Sequence, residues 1–131
     1  MTYLLDSNVW VALLRGTKPQ AAARFRATPS TGVRVCSVVV AELRYGCARS
    51  AKSAANRVAV DALLAPYPSL PFDDAAVDSF VTVRTRLESL GTPIGPYDLQ
   101  IAAIALTNGC TLVTHNQAEF SRVPALLLED W

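Results

Sequence analysis

Tyr3-Leu4-Leu5-Asp6-Ser7-Asn8-Val9-Trp10 is the stretch that decides the fold. Its apolar run ends in Asp6, and apolar residues at helical spacing begin at Val9. The run predicts a buried strand, and ligands of open parallel α/β sheets bind outside the carboxyl ends of such strands. Asp6 would therefore reach into a crevice. An isolated Asp at this place is more often a helix N-cap, so the choice depends on whether other acids occupy equivalent places.

The rest of the chain alternates strand and helix patterns. Such alternation predicts an α/β fold, with a central, mostly parallel sheet of four to five strands layered between helices. Ser37 is predicted to N-cap the third helix, and Pro71 confines its short strand to a sheet edge. The predicted helices are 19–27, 37–49, 53–65, 73–90 and 96–107, with a helical turn at 116–120, and the later strands are 33–36, 69–72, 110–114 and 126–128.

The composition predicts one globular domain over residues 1–131. Apolar residues make up 51% of the chain and charged residues 18%, which excludes a disordered chain. No apolar run is long enough for a membrane span, and the N-terminus has no basic segment before an apolar one, so we expect no signal peptide. The three cysteines lack metal-site spacing and are expected to be buried and reduced. We therefore expect a cytoplasmic protein.

Charge is unevenly distributed along the chain. Residues 15–57 carry nine basic side chains and one acidic one, whereas residues 58–131 carry three basic and nine acidic ones. A basic segment in a chain of net charge +1 suggests an anionic partner such as nucleic acid. A solvated, arginine-rich helical surface explains the same pattern about as well.

Four polar residues fall where the carboxyl-end crevice is predicted: Asp6, Glu42, Asp98 and Asn116. Glu42 stands five residues after Ser37, so a capping box does not explain it. Asp98 gains from the helix dipole, but it opens a helix that is apolar nearly all round and so needs a partner. Asn116 has a competing explanation, because Glu119 three residues later would complete a capping-box-like start.

Carboxylates that converge in an apolar crevice repel one another unless a cation neutralises them. Oxygen ligands without Cys or His suit Mg²⁺ or Mn²⁺. Such an ion polarises a phosphoryl oxygen and lowers the pKa of a bound water. Beside an arginine-rich surface, this chemistry points to a metal-dependent nuclease.

Four motifs carry a resemblance that extends over essentially the whole chain. They are Leu-Leu-Asp6-Ser-Asn8-Val, Val-Ala-Glu42-Leu-Arg-Tyr-Gly46, Gly95-Pro-Tyr-Asp98-Leu-Gln-Ile-Ala-Ala and Val-Thr114-His-Asn116-Gln-Ala-Glu-Phe120. In this order they resemble the PIN-domain ribonucleases, and more narrowly the VapC toxins of bacterial toxin–antitoxin pairs. The resemblance implies a PIN-like α/β/α sandwich and an Mg²⁺- or Mn²⁺-dependent RNA endonuclease that cleaves tRNA or rRNA. It also implies neutralisation by a VapB-type antitoxin, and a homodimer.

Site residues follow from the same resemblance. Asp6, Glu42 and Asp98 match the family's metal-binding acids, and Ser7 and Asn8 match the small hydroxyl residue and the Asn beside the first acid. Asn116 departs from the Asp that many PIN domains have there, and its amide offers an oxygen without charge. One-metal and two-metal mechanisms therefore both stay open.

Other polar residues near the motifs have weaker grounds. His115 is the only histidine, and we interpret it as a partly exposed loop residue because metal-hydroxide chemistry does not require it. Arg15, Arg44 and Arg49 are candidate contacts to RNA phosphates.

Two other classes of protein compete with the nuclease. One is a metal-dependent α/β phosphohydrolase with Asp6 as nucleophile, although Asp6-Ser7-Asn8 lacks a second Asp two residues on. The other is a catalytically weak PIN-like module that binds RNA or protein. Three clustered acids speak against the binding module, because negative charge weakens binding to RNA.

Overall fold

The strand predicted from Tyr3-Leu4-Leu5 is the centre of the sheet. The structure is a computed structural model that describes residues 1–131. Its strands are β1 (Tyr3–Leu5), β2 (Val33–Cys36), β3 (Ser69–Leu70), β4 (Thr111–Val113) and β5 (Leu128–Glu129). They pair in the order β3-β2-β1-β4-β5, and every pair is parallel. The predicted α/β fold is confirmed, with five strands and a wholly parallel sheet.

Seven helices flank this sheet. They are α1 (Ser7–Arg15), α2 (Pro19–Ala27), α3 (Ser37–Arg49), α4 (Ser53–Leu64), α5 (Asp74–Ser89), α6 (Pro96–Thr107) and α7 (Gln117–Phe120). Pro19 and Pro96 each occupy the first position of a helix, where the missing N–H would have no partner in any case. The Asp73 carboxylate caps α5 by accepting a hydrogen bond from the Ala76 N–H (3.0 Å). None of the seven helices is long and apolar enough to cross a bilayer.

Three local predictions are wrong in detail. Ser37 is the first residue of α3 and not its cap; Cys36 occupies the cap position and makes no capping bond through its side chain. The last strand is Leu128–Glu129 instead of residues 126–128. Its register is set by pairing of Leu128 with Leu112 of β4, and an apolar run alone does not encode that pairing. Asn116 precedes α7 without a capping hydrogen bond from its side chain.

The core lies on both faces of the sheet and is closed by large rings. Trp10 and Phe120 are fully buried, and α6 is buried from Ile101 to Ala105, as its uniformly apolar sequence predicts. All three cysteines are buried and free, in agreement with the prediction. Burial raises the pKa of the Cys36 thiol to about 11, which keeps it protonated.

Strand order creates a crevice at one place. The chain proceeds from β1 outward through β2 to β3, and later places β4 and β5 on the other side of β1. After β1 the chain therefore continues toward one edge of the sheet, and after β4 it continues toward the other. Doubly wound sheets bind ligands at the carboxyl ends of two strands whose connections diverge in this way. Asp6 and Thr114 are the residues that directly follow these two strands. Helix α3 contacts both α1 and α6, which brings their side chains toward the same crevice.

Candidate active site

Asp6 is held at the end of β1 by donors from two directions. Its side chain is buried, with an exposed fraction of only 5%. One carboxylate oxygen accepts a hydrogen bond from the Ser7 N–H (2.8 Å), and the other accepts one from the Thr114 hydroxyl (2.8 Å). Asp6 is therefore both the N-cap of α1 and a crevice carboxylate. The role of helix cap and the role of crevice carboxylate do not exclude one another, because each oxygen has two lone pairs.

Thr114 is a positioning residue that the sequence analysis did not single out. Its side chain is fully buried, and its hydroxyl accepts a hydrogen bond from the Asn116 N–H (3.0 Å) while donating to Asp6. The hydroxyl thus ties the first acid to the segment that carries Asn116. The sign available in the sequence was a Thr placed directly after the apolar residues of β4.

Glu42 extends from α3 toward Asp6, with Ser7 between them. The Ser7 hydroxyl donates to the Glu42 carboxylate (3.1 Å) and also lies 3.4 Å from an Asp6 oxygen. Burial raises the pKa of Glu42, the Ser7 hydrogen bond opposes that rise, and the Asp6 charge adds to it. Ser7 therefore links two of the predicted acids, Asp6 and Glu42.

Asp98, in the first turn of α6, shows the strongest effect of the clustering. Its pKa is raised from 3.8 to about 7. Burial is the largest cause, followed by the charge of Glu119, the charge of Asp6, a hydrogen bond shared with Glu119 and the charge of Glu42. The charges of three other carboxylates thus act on Asp98. The predicted acids Asp6, Glu42 and Asp98 therefore lie in one place.

Glu119 is a fourth acid of the crevice, and sequence reasoning treated it only as a capping partner. It accepts hydrogen bonds from the Gly95 N–H (3.0 Å) and from the Asn116 side-chain amide (2.9 Å). These bonds lower its pKa, so in the Asp98–Glu119 pair Asp98 holds the shared proton. The predicted capping box is replaced by a bond between two side chains, because Glu119 also holds the start of α6. An acid three residues from Asn116 was the sign for this role.

The crevice acids offer the donor set of a hard divalent cation. All the donors are carboxylate or amide oxygens, which suit Mg²⁺ or Mn²⁺. No three His, Cys, Asp or Glu side chains are gathered closely enough to hold one ion as they stand. Burial, and after it the repulsion from neighbouring carboxylate charges, raises the pKa values of Glu42 and Asp98. A cation would remove that repulsion, so the residues fit the ion chemically.

Two clefts open on either side of Glu42. A cleft of about 520 Å³ between α1, α3 and α4 is lined by Ser7, Asn8, Arg15 and Glu42 among others. A second cleft, of about 610 Å³, is lined by Glu42, Tyr45 and Tyr97 among others. Glu42 is therefore accessible from two sides.

The remaining candidates Arg44, Arg49 and His115 contact residues other than the crevice acids. Arg44 lies 3.6 Å from Asp61 on α4, and Arg49 lies over the Tyr45 ring, 5.5 Å from its centroid. His115 is partly exposed, and its Nε2 lies 3.8 Å from an Asp130 oxygen without a hydrogen bond. His115 thus faces the C-terminal segment.

The chain is similar in sequence and in structure to known proteins. The PIN domain family profile matches residues 3–126. The chain belongs to the PIN domain family. The tRNA(fMet)-specific endonuclease VapC of Salmonella typhimurium is 32% identical, over all of this chain and 98% of the relative. Ribonuclease VapC2 of Rickettsia felis is 33% identical, with the same coverage. The solved structure of DNA-bound VapBC from Salmonella typhimurium matches with a TM-score of 0.93 at 30% identity, over all of this chain and 98% of that one.

These matches confirm the family predicted from the four motifs. Within the PIN domains, the chain is a member of the VapC ribonucleases. The similarity runs through the whole PIN domain fold and includes the crevice at the ends of β1 and β4. The predicted three-layer PIN-like sandwich is confirmed with it.

Proposed function

We propose that this PIN domain is an endoribonuclease that uses Mg²⁺ or Mn²⁺ held by Asp6, Glu42 and Asp98. The observation that carries the proposal is the convergence of Asp6, Glu42 and Asp98 in one crevice, where Ser7 links the first two and burial with three neighbouring carboxylates raises the pKa of Asp98 to about 7. Such a site is unfavourable without a cation and favourable with one. When bound, the ion polarises a phosphoryl oxygen and lowers the pKa of a water molecule for in-line attack.

Each residue of the crevice has a distinct task in this proposal. Thr114 and Ser7 hold Asp6 in place through the hydrogen bonds described above. Glu119 accepts the hydrogen bond of protonated Asp98, and Asp98 would have to be in its carboxylate form to hold the ion. Glu119 and Asn116 then orient the start of α6. Hydrolysis adds the water oxygen to phosphorus, breaks one P–O bond of the phosphodiester and gives a phosphate monoester and a hydroxyl.

Proton release makes ion binding dependent on pH. Because Asp98 has a pKa of about 7, its carboxylate form is scarce at pH 5 and abundant at pH 8. We expect Mn²⁺ affinity, measured by isothermal titration calorimetry, to rise at least tenfold, as an order-of-magnitude estimate, over this interval. In the Asp98→Asn variant the rise should be much smaller. An equal rise in both proteins would contradict the role of Asp98.

Substrate and partner are inferred from the relatives. Basic residues along positions 15–57 favour an anionic polymer. The Salmonella relative is named for tRNA(fMet), and we propose tRNA or rRNA as the substrate of this chain, in the cytoplasm. Arg15, which lines the cleft beside Glu42, and Arg44 and Arg49 on α3 are proposed phosphate contacts. We further propose a VapB-type antitoxin as partner and a homodimer of the single 131-residue domain.

The decisive test is cleavage of total bacterial RNA by the purified chain in Mg²⁺, in Mn²⁺ and in EDTA. Asp6→Asn and Asp98→Asn remove charge while keeping shape. Asp78→Asn is the matched control, because Asp78 is an exposed acid on α5 outside the crevice. We expect a discrete metal-dependent product that only the first two variants lose. Binding of RNA without cleavage in either metal would favour the binding module, and release of phosphate from monoesters alone would favour the phosphohydrolase.

A further inference from the structure

Two tyrosines beside the crevice acids are exposed and pack against no other ring. Of the ten aromatic side chains, seven lie in ring–ring contacts, and Phe120 is fully buried. Tyr45 and Tyr97 are the remaining two, and they are 64% and 65% exposed. Neither hydroxyl makes a hydrogen bond within the chain. Neither ring belongs to the core, and each exposes a large apolar surface.

Both rings line the same cleft, and that cleft adjoins the acids. Its volume is about 610 Å³, and Glu42 forms part of its wall together with Phe72, Ser37 and Gln100. Tyr45 follows Glu42 by three residues on α3, which places both on one helix face. Tyr97 directly precedes Asp98 at the start of α6. The two acids are thus flanked by aromatic rings.

Two further polar side chains of this cleft, Ser37 and Gln100, are without partners. Gln100 is half-buried, and neither its amide nor the Ser37 hydroxyl makes a hydrogen bond within the chain. An amide can donate and accept at once, so it can pair with the edge of a base. Arg49 lies over the Tyr45 ring and brings a cation to the rim. Apolar rings, a free amide and a nearby cation are the components that proteins use to bind unstacked RNA bases.

We propose that the cleft between Tyr45 and Tyr97 binds an unstacked RNA base adjacent to the cleaved phosphate. The base stacks on the tyrosine rings, and Gln100 pairs with its edge. This subsite rests on the proposed nuclease function. Through it, side chains beside the scissile bond select the RNA by one of its bases. A second copy of the chain seated in the same cleft would cover Glu42 and block substrate, so RNA is the better-fitting occupant.

The test pairs changes in the protein with removal of single bases from the RNA. Once wild-type cleavage of total RNA has been mapped, oligoribonucleotides are made across the site, each with one abasic nucleotide on either side of the cut. For wild type we expect one abasic position to lower kcat/KM by about 5- to 150-fold, the range expected for base–aromatic stacking. In the double variant Tyr45→Ala/Tyr97→Ala, the same abasic position should have almost no further effect.

Matched variants distinguish stacking from general damage. Tyr45→Phe/Tyr97→Phe keeps the rings and should keep the abasic effect. Val81→Ala alters an exposed apolar residue on α5 and should behave as wild type. Gln100→Met should change the preference for the base at that position while leaving the abasic oligonucleotide equally well cleaved.

The failures of the two proposals are distinct. If wild type cleaves no RNA, the nuclease function itself is overturned, and the subsite with it. If wild type cleaves but the double variant remains equally sensitive to the abasic position, only the subsite is overturned. A changed oligomeric mass in the double variant, with unaltered base dependence, would identify the cleft as a contact between two copies and would also overturn the subsite.

Discussion

Replacing Asp98 by Asn should make the metal-free protein more stable, although it should abolish cleavage. The Asp98 carboxyl has a pKa of about 7 in the folded chain and 3.8 as its ordinary value. An acid whose pKa is raised on folding binds its proton more tightly in the folded state. The stability present below pH ~4 is therefore lost as the pH rises through about 7.

The expected size follows from the shift. A shift of about three pKa units corresponds to about 4 kcal/mol of lost stability above pH 7. Asp98 is only half-buried, and solvent screens its interactions, so roughly half of this, about 2 kcal/mol, is the expected gain for Asp98→Asn at pH 8. At pH 5 only part of the stability that wild type loses above pH 7 has been lost, so the expected gain for Asp98→Asn falls to about 1 kcal/mol. The Asn amide can still donate to Glu119, which keeps that contact.

Urea unfolding at pH 5 and pH 8 in EDTA measures this difference, with Asp78→Asn as control for loss of an exposed charge. The control should remain within about 0.5 kcal/mol of wild type at both pH values. Saturating Mg²⁺ should stabilise wild type and leave Asp98→Asn nearly unchanged, because binding to the folded state alone raises stability. A variant that is less stable than wild type at pH 8, or a difference that is independent of pH, would refute the reasoning.

Three further substitutions test the surrounding contacts. Thr114→Val keeps the shape but removes the donor to Asp6 and the acceptor for the Asn116 N–H; we expect a loss of about 2–4 kcal/mol in urea unfolding, and Thr114→Ser should recover most of it. Glu119→Gln should lower the pKa of Asp98, visible by NMR titration of the carboxyl carbon, because a neighbouring negative charge is removed; an unchanged titration would argue against the pair. Trp131→Ala should lower stability by about 3 kcal/mol, because the buried ring packs on Tyr3 and under Arg24; Trp131→Phe should lose less, and equal losses would show that ring packing is not the cause.

The sequence predicted local structure correctly wherever one residue type has a strong backbone preference. Pro19 and Pro96 each start a helix, and the Asp73 side chain caps α5, as their chemistry dictates. The strand before Pro71 lies at a sheet edge, where a missing N–H does no harm. Each of these predictions needed only a few neighbouring residues.

Predictions failed where a contact from a distant element decided the outcome. Glu119 does not cap its own helix, because it bonds to the Gly95 N–H, 24 residues away in sequence. The Thr114 hydroxyl reaches Asp6 across 108 residues. Neither contact produces a periodic pattern or a nearest-neighbour pattern in the sequence, because each depends on how the fold places β1, β4 and α6.

Apolar periodicity predicted the fold class, and the order of the motifs predicted the family, because both are local properties of the chain. The same motifs made Asp6, Glu42 and Asp98 candidate acids. Only the tertiary structure decided which side chains hold those acids and how they ionise. Burial and through-space charge depend on distances between elements that are far apart in sequence. For that reason the roles of Thr114 and Glu119, the proton on Asp98 and the cleft between Tyr45 and Tyr97 became visible only after the strands had been placed in order.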